Sequence, residues 1–298
     1  MNFLTQQQEV AAILGLDETQ TNQSTLIKRW LNISQRDIGD AADWPFLEAP
    51  DPVIIQTEVD YTTGTASVTL GGTTVTFSAV VTASKTGHYI KFAGDGAWYR
   101  ITSHTGGTDT ATIAPGAVQA FTASEYTVRK ILYTLPSTID RVRKFRISDW
   151  PYEFVSKPSQ WLNPWSSTAD QTGNPRVAVI RGRTTSDEWQ ATFWPYPDAI
   201  FNIYIENLIK LVDLVSNSDV SIIPEKWHST TMLQGAIWRG WEFLDDSRAG
   251  NAQVTFHRYI QEMKDNILPN LDEERVLQPV DGQVILREPV LPGSYPLG

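Results

Sequence analysis

Between residues 56 and 133 the chain is written in Thr, Val, Gly and Ser, and this stretch limits the fold more than any other. Val68, Leu70, Val75, Phe77, Val80, Tyr89, Ile90, Phe92, Trp98, Tyr99, Ile101, Ile113, Tyr126 and Val128 sit in short runs. Gly71-Gly72, Gly94-Asp95-Gly96 and Gly106-Gly107 punctuate them. β-branched and aromatic runs of this length cannot complete a helix stripe, and glycine turns let each one fold back on the last. The stretch therefore predicts a small all-β module, a sandwich or a barrel. Its charge balances, with Glu58, Asp60, Asp95, Asp109 and Glu125 against Lys85, Lys91, Arg100, Arg129 and Lys130.

The flanking segments follow a different period. Residues 1–48 read as helical, with Thr5 and Gln8 suited to a capping box and Gly15 to a helix stop. Ser24 or Thr25 suits the cap of a second helix, whose Leu26, Trp30, Ile33, Ala41 and Trp44 make a stripe that should be buried. Pro45 should end it, because the residue before a proline is pushed out of helical geometry. After the β module, VRKFRISDW, RVAVIRG, EWQATFWPYP and IFNIYIENLIK read as strands; in the last, Phe201, Ile203 and Ile205 alternate with polar neighbours. Residues 157–175 are too rich in Pro, Asn and Ser for regular structure and read as a loop. Pro224 suits the start of an antiparallel αα-hairpin carrying Trp227, Leu233, Ile237 and Trp241, then Phe256, Tyr259, Ile260, Met263 and Ile267. Residues 269–298 hold five prolines and read as an extended docking tail.

The expected fold class is α+β. It has a helical core of N-terminal helices plus the C-terminal αα-hairpin, a small antiparallel sheet, and an inserted all-β sandwich or barrel. The expected organisation is residues 1–55 as the N-terminal helical part, 56–133 as the insert, 134–268 as the sheet and hairpin completing the main domain, and 269–298 as the tail.

Net charge is −10 over 298 residues. That disfavours wrapping of nucleic acid, which needs clustered Lys and Arg, but suits a conduit through which DNA slides without adhering. The negative charge concentrates in the helical segments: residues 1–55 carry −5 and residues 198–275 carry −6, while residues 134–197 carry +2. Those charges either line a common channel or solvate outward helix faces. The chain has no Cys, so disulfides and thiolate metal sites are excluded. No stretch reads as a secretory leader or reaches transmembrane length.

The sequence offers no catalytic, cofactor-binding or metal constellation. His88, His104, His228 and His257 stand far apart, none at ligand spacing from another. Asp245-Asp246 and Glu273-Glu274 are adjacent, so their side chains diverge if helical. No phosphate loop and no nucleophile elbow occur. The unusual feature is Trp161-Leu162-Asn163-Pro164-Trp165, two tryptophans in a proline-bearing loop. Trp161 and Trp165 suit interface anchors, sugar stacking, or a loop folded on its own core. Val284, Ile285, Leu286, Val290 and Leu291 give the tail apolar docking residues.

The segment order resembles the head-to-tail adaptor family of tailed bacteriophages, which includes the tail tubular A proteins. The resemblance rests on ATFWPYPD followed by FNIYIENLIKLVDL, and on IIPEKWHSTTMLQGAIWRGWEFL. Phe193, Trp194, Pro195, Pro197 and Asp198 match an aromatic-proline strand end, and Pro224 and Trp227 match the motif opening the hairpin. Within the insert, Gly87, Tyr89, Ile90, Phe92, Trp98, Tyr99, Arg100, Ile101, Leu135 and Pro136 are similar to a β module of phage neck and tail proteins. The strand TATIAP departs from that pattern, being shorter and less rich in leucine. The resemblance covers roughly residues 1–268. It implies a non-enzymatic virion protein, assembled in the host bacterial cytoplasm, that forms a dodecameric ring beneath the portal. Its partners would be the portal protein, a tail nozzle, tube or stopper protein, and genomic DNA passing through the lumen, with no membrane. A rival expectation is a carbohydrate-binding host-recognition module using Trp98, Tyr99 and Trp161, and a more distant one a cell-wall hydrolase.

Overall fold

The computed structural model describes residues 1–147, 154–163 and 170–268. In chain order the helices are α1 (Phe3–Leu14), α2 (Thr21–Asp40), α3 (Leu233–Phe243) and α4 (Ala249–Ile267). The strands are β1 (Val53–Gln56), β2 (Ala66–Val68), β3 (Thr74–Val81), β4 (Tyr89–Phe92), β5 (Tyr99–His104), β6 (Thr108–Ala114), β7 (Phe121–Ser124) and β8 (Tyr126–Arg129). They continue with β9 (Tyr133–Thr134), β10 (Ile139–Ile147), β11 (Val155–Lys157), β12 (Thr172–Gly173), β13 (Val177–Arg183), β14 (Trp189–Trp194), β15 (Tyr196–Pro197) and β16 (Asn202–Ile209).

This corrects the expected fold class. The chain is mostly β, with sixteen strands in four sheets among the described residues, and it has no helical core around which a small sheet is arranged. The physical reason is that the sheets bury their own side chains. Among the described residues, one unit, Phe46–Asp213, contains every strand, and the other is assembled from Met1–Pro45 and residues 214–268. The helices satisfy one another: Ile27, Leu31 and Ile38 of α2, Leu233 and Ala236 of α3, and Phe256 and Met263 of α4 are all buried.

In the helical unit, Asn2 rather than Thr5 caps α1; its Oδ1 accepts from the Thr5 backbone N–H at 2.9 Å. Gly15 does end the helix, at φ 68°, a conformation glycine adopts without a Cβ penalty. Helix α2 begins earlier than expected, at Thr21, with no side-chain cap. Leu26 and Ile33 of its expected stripe are only half-buried, while Ile27 and Leu31 turn inward. Ahead of α3, Pro224 precedes a 3-10 turn at Glu225–Trp227 and a π-helical turn at His228–Met232.

In the other unit, seven strands form one sheet in the order β7-β2-β3-β6-β5-β4-β8. It is nearly closed into a barrel. Its ends are β7 and β8, joined through the single residue Glu125. Phe121 of β7 stacks on Phe92 of β4 at 4.4 Å between centroids, so an aromatic pair joins the edge strand β7 to β4, the neighbour of β8. The interior holds Val75, Phe77, Ile90, Tyr99, Ile101, Ile113 and Val128. A second core lies under two further sheets, β1-β16-β10 and β11-β13-β14-β9. Phe193 is its hub, within 5.3–5.8 Å centroid distance of Tyr133, Phe145 and Phe154. The pairing of β11 with β13 is parallel, where only antiparallel pairing was expected.

Candidate functional site

Two places in the structure bring together side chains that sequence order holds apart. The first is a charge cluster where the chain enters and leaves the barrel. Glu58 and Asp60 lie on the entering segment, Arg129 and Lys130 on the leaving one. Arg129 Nε donates to both Asp60 oxygens at 2.9 and 3.1 Å, and its Nη2 donates to Oδ2 at 2.6 Å. Its Nη1 donates to Asp170, which also accepts from Lys91 Nζ at 2.9 Å. The guanidinium lies between two rings, 5.1 Å from the Trp98 centroid and 4.6 Å from that of Tyr196. Burial acts to lower the Arg129 pKa, but the Asp60 and Asp170 carboxylates outweigh it and hold the cation above its ordinary value.

Glu58 closes the other half of the cluster. It accepts from Lys130 Nζ at 2.6 Å and lies 2.8 Å from His88 Nε2. The His88 hydrogen bond, with help from Lys130, holds the Glu58 carboxyl well below the usual range against the effect of burial. Charge-assisted bonds of this kind fix geometry as well as adding energy. Entry and exit strands are thereby tied to each other at the foot of the barrel.

A cavity of roughly 650 Å³ opens beside this cluster, with Lys91, Asp95, Trp98, Tyr126, Arg129 and Asp170 among its walls. The named acids are engaged: Asp170 by Lys91 and Arg129, and Asp95 by the Tyr99 hydroxyl at 2.7 Å.

The second place is a groove between α2 and α3, of roughly 450 Å³. Leu26, Trp30 and Ile33 face Trp238 and Phe243, with Arg29, Arg239 and Glu242 at the edges. Phe243 is 62% exposed and packs on Trp30 at 5.7 Å between centroids. Arg239 donates to Asp37, whose carboxyl is nevertheless raised by burial. Further exposed apolar residues of this unit are Ile13, Val215, Val220, Ile222, Leu244 and Val254.

Of the residues expected at an interface, Trp161 lies in a 3-10 turn, 43% exposed, and meets Trp194 edge-on at 5.4 Å. It is half committed to its own sheet and half available. Trp165, Val284, Ile285, Leu286, Val290 and Leu291 lie outside the described residues. Trp98 and Tyr99, the other two candidate sugar platforms, are 9% and 1% exposed, so their ring faces are covered by the protein. The four histidines are separate. His88 binds Glu58, His104 Nδ1 accepts from the Lys85 backbone N–H at 3.0 Å, and His257 is exposed. His228 is 1% exposed with Nε2 2.7 Å from the Ile223 carbonyl, and burial pushes its pKa down. Among the described residues no three His, Asp or Glu side chains group as a metal site, and no helix is long and apolar enough to cross a membrane.

Sequence reasoning missed the Asp60–Arg129–Asp170 cluster. A signal existed: two acids, Glu58 and Asp60, just before the barrel and two bases, Arg129 and Lys130, where its last strand ends. No family model matches this sequence, and no curated protein does.

Proposed function

We propose that the chain is a structural subunit of the head-to-tail adaptor ring of a tailed bacteriophage, docking on the portal and offering a platform to the tail. The observation that carries this assignment is the discontinuous helical unit. Helices α1 and α2 come from the start of the chain, and α3 and α4 from its far end, with the whole β unit inserted between them. Of the two motifs that resemble the adaptor family, one lies within the β unit and the other in the helical unit. Phe193, Trp194, Pro195 and Pro197 lie on β14 and β15, just before β16, and Pro224 and Trp227 open the path into α3.

Exposed apolar side chains on the helical unit also favour a subunit that meets partners. Soluble monomers rarely leave large apolar patches uncovered without a use for them. Phe243 beside the α2/α3 groove is such a residue. A carbohydrate-binding role has less support, because two of its three candidate aromatics are buried.

Native mass spectrometry of the purified chain, alone and mixed with the portal of the same phage, tests the assignment. A closed ring of subunits added to the portal is the expected result. A chain that ignores the portal at every concentration refutes it.

A further inference from the structure

Residues 62–84 and 110–124 contain no Asp, Glu, Lys or Arg, in a chain where 19% of residues are charged. The topology puts these two stretches side by side. They supply β2, β3 and β7 entirely and most of β6, and β7-β2-β3-β6 are consecutive in the barrel sheet. The single charge on the four strands is Asp109, at the start of β6. The opposite half of the barrel carries Lys91, Arg100 and Arg129 on β4, β5 and β8. Apart from Asp109 at one end of β6, that side of the barrel is free of charge.

What that side presents is mostly hydroxyl. Ser67 stands opposite Thr76, Thr76 opposite Thr110, and Thr74 opposite Thr112. Thr74, Thr76, Thr110 and Thr112 are all exposed. The exposed aliphatics lie at its two ends. Leu70 and Val118, 71% and 63% exposed, sit on turns joined by the Gly71–Ala117 and Ala117–Gly72 backbone bonds. Val80, 56% exposed, lies near the far end of β3.

We propose that this face docks on the same face of a second copy of the chain. Charge selects the occupant. Each copy carries −10, so two copies repel wherever their charged surfaces meet, and this barrel side, with Asp109 at its edge as its single charge, is where they can approach at the least of that cost. Hydroxyls select it again. A Thr or Ser side chain both donates and accepts, so a hydroxyl face is complementary to itself, as a two-fold contact requires. The aliphatic ends add apolar area to bury. Four strands about 4.8 Å apart, from about 10 Å (β2) to about 26 Å (β3) long, give a face on the order of 350 Å². That is below the ~800 Å² per partner of a standard stable interface, so the dimer is weak and reversible.

Sedimentation velocity on the full chain, over a concentration series reaching the sub-millimolar range, reads this directly. The expected result is a monomer–dimer equilibrium that tightens with added salt, as screening reduces the net repulsion. Thr76→Glu/Thr112→Glu places like charges at the centre of the contact and weakens dimerisation by about tenfold or more. Asn251→Glu/Gln253→Glu, with the same added charge on exposed positions of α4, leaves it unchanged. Thermal melts of both variants confirm that they fold. A chain that stays monomeric throughout overturns the proposal. So does a dimer that survives Thr76→Glu/Thr112→Glu, and so does a monomer whose β3 and β6 amides shift with a neutral polysaccharide instead. The measurement needs no portal, so failure of portal binding leaves its outcome intact.

Discussion

Replacing Arg129 with Met would remove the cation that holds Asp60 and Asp170 while keeping most of the side-chain volume. The Arg129 side chain is 7% exposed and those of Asp60 and Asp170 are 19% and 25% exposed, so solvent screens the pairs only partly. Breaking a buried pair by deleting one partner costs about 3–5 kcal/mol, because the other charge stays desolvated. Asp170 would keep Lys91, which places the expected loss toward the lower end. Asp60 would lose all three hydrogen bonds from the guanidinium. We expect about 3–4 kcal/mol, and at roughly 2–4 °C per kcal/mol for a unit of this size, a fall in Tm of about 6–16 °C. Urea titration followed by tryptophan fluorescence measures it, since Trp98 packs on the guanidinium. A double-mutant cycle with Asp60→Asn separates the pair from general packing damage. A loss below about 1 kcal/mol for Arg129→Met, or additivity within about 0.5 kcal/mol in the cycle, would refute the reasoning.

Glu58 makes stability depend on acid. Its folded-state pKa is held well below the ordinary 4.5, so its contribution is full above that value and is lost as pH falls below it. Glu58→Gln should flatten the urea midpoint against pH in this acid window; an unchanged slope would show that other carboxylates set it. Gly235 tests helix packing in the other unit, because a Cβ there would overlap Ser34 Oγ and lie 2.7 Å from Phe256 Cε2. Overpacking costs about 1–3 kcal/mol, and Ala recovers up to ~1 kcal/mol of helix propensity. Gly235→Ala should thus destabilise by about 0.5–2 kcal/mol in chemical denaturation, and a stabilised variant would mean that α2 and α4 yield at this point.

Local chemistry was legible in the sequence where one residue decides the outcome. Gly15 ends α1 in the left-handed region, and the glycine-punctuated runs of the insert became barrel strands. The alternation of Ile203 and Ile205 with polar neighbours marked β16, whose inward residues are fully buried. Partners were harder to read than faces. The spacing of Leu26, Trp30 and Ile33 marked a helix but not its buried face: Trp30 is buried with Ile27, Leu31 and Ile38, while Leu26 and Ile33 face a groove. The error in fold class has the same source. Helical stripes at both chain ends look like the core of whatever lies between them, unless the intervening strands bury themselves, as Phe145, Phe193 and Ile205 do.

The charge cluster shows why long-range pairing escapes a sequence reading and how it shapes the molecule. Asp60 and Arg129 are 69 residues apart, and their position at the two ends of the insert hints that they meet without giving the register that joins them. Only closure of the barrel brings them together, because Tyr61 pairs with Val128 through two backbone bonds of 2.9 and 2.8 Å and so sets their neighbours side by side. That register forces two acids and two bases into one partly buried space, where opposite signs are stable and like signs are not. An inserted module joined by two chain crossings would pivot about them. Ion pairs between the crossings, with Arg129 held between Trp98 and Tyr196, turn the two strands into one stiff attachment. Lys91 and Arg129 of the charged half are thus occupied with the module's own anchorage, and the hydroxyl-rich half, with Asp109 as its single charge, is the part left for an encounter with another molecule.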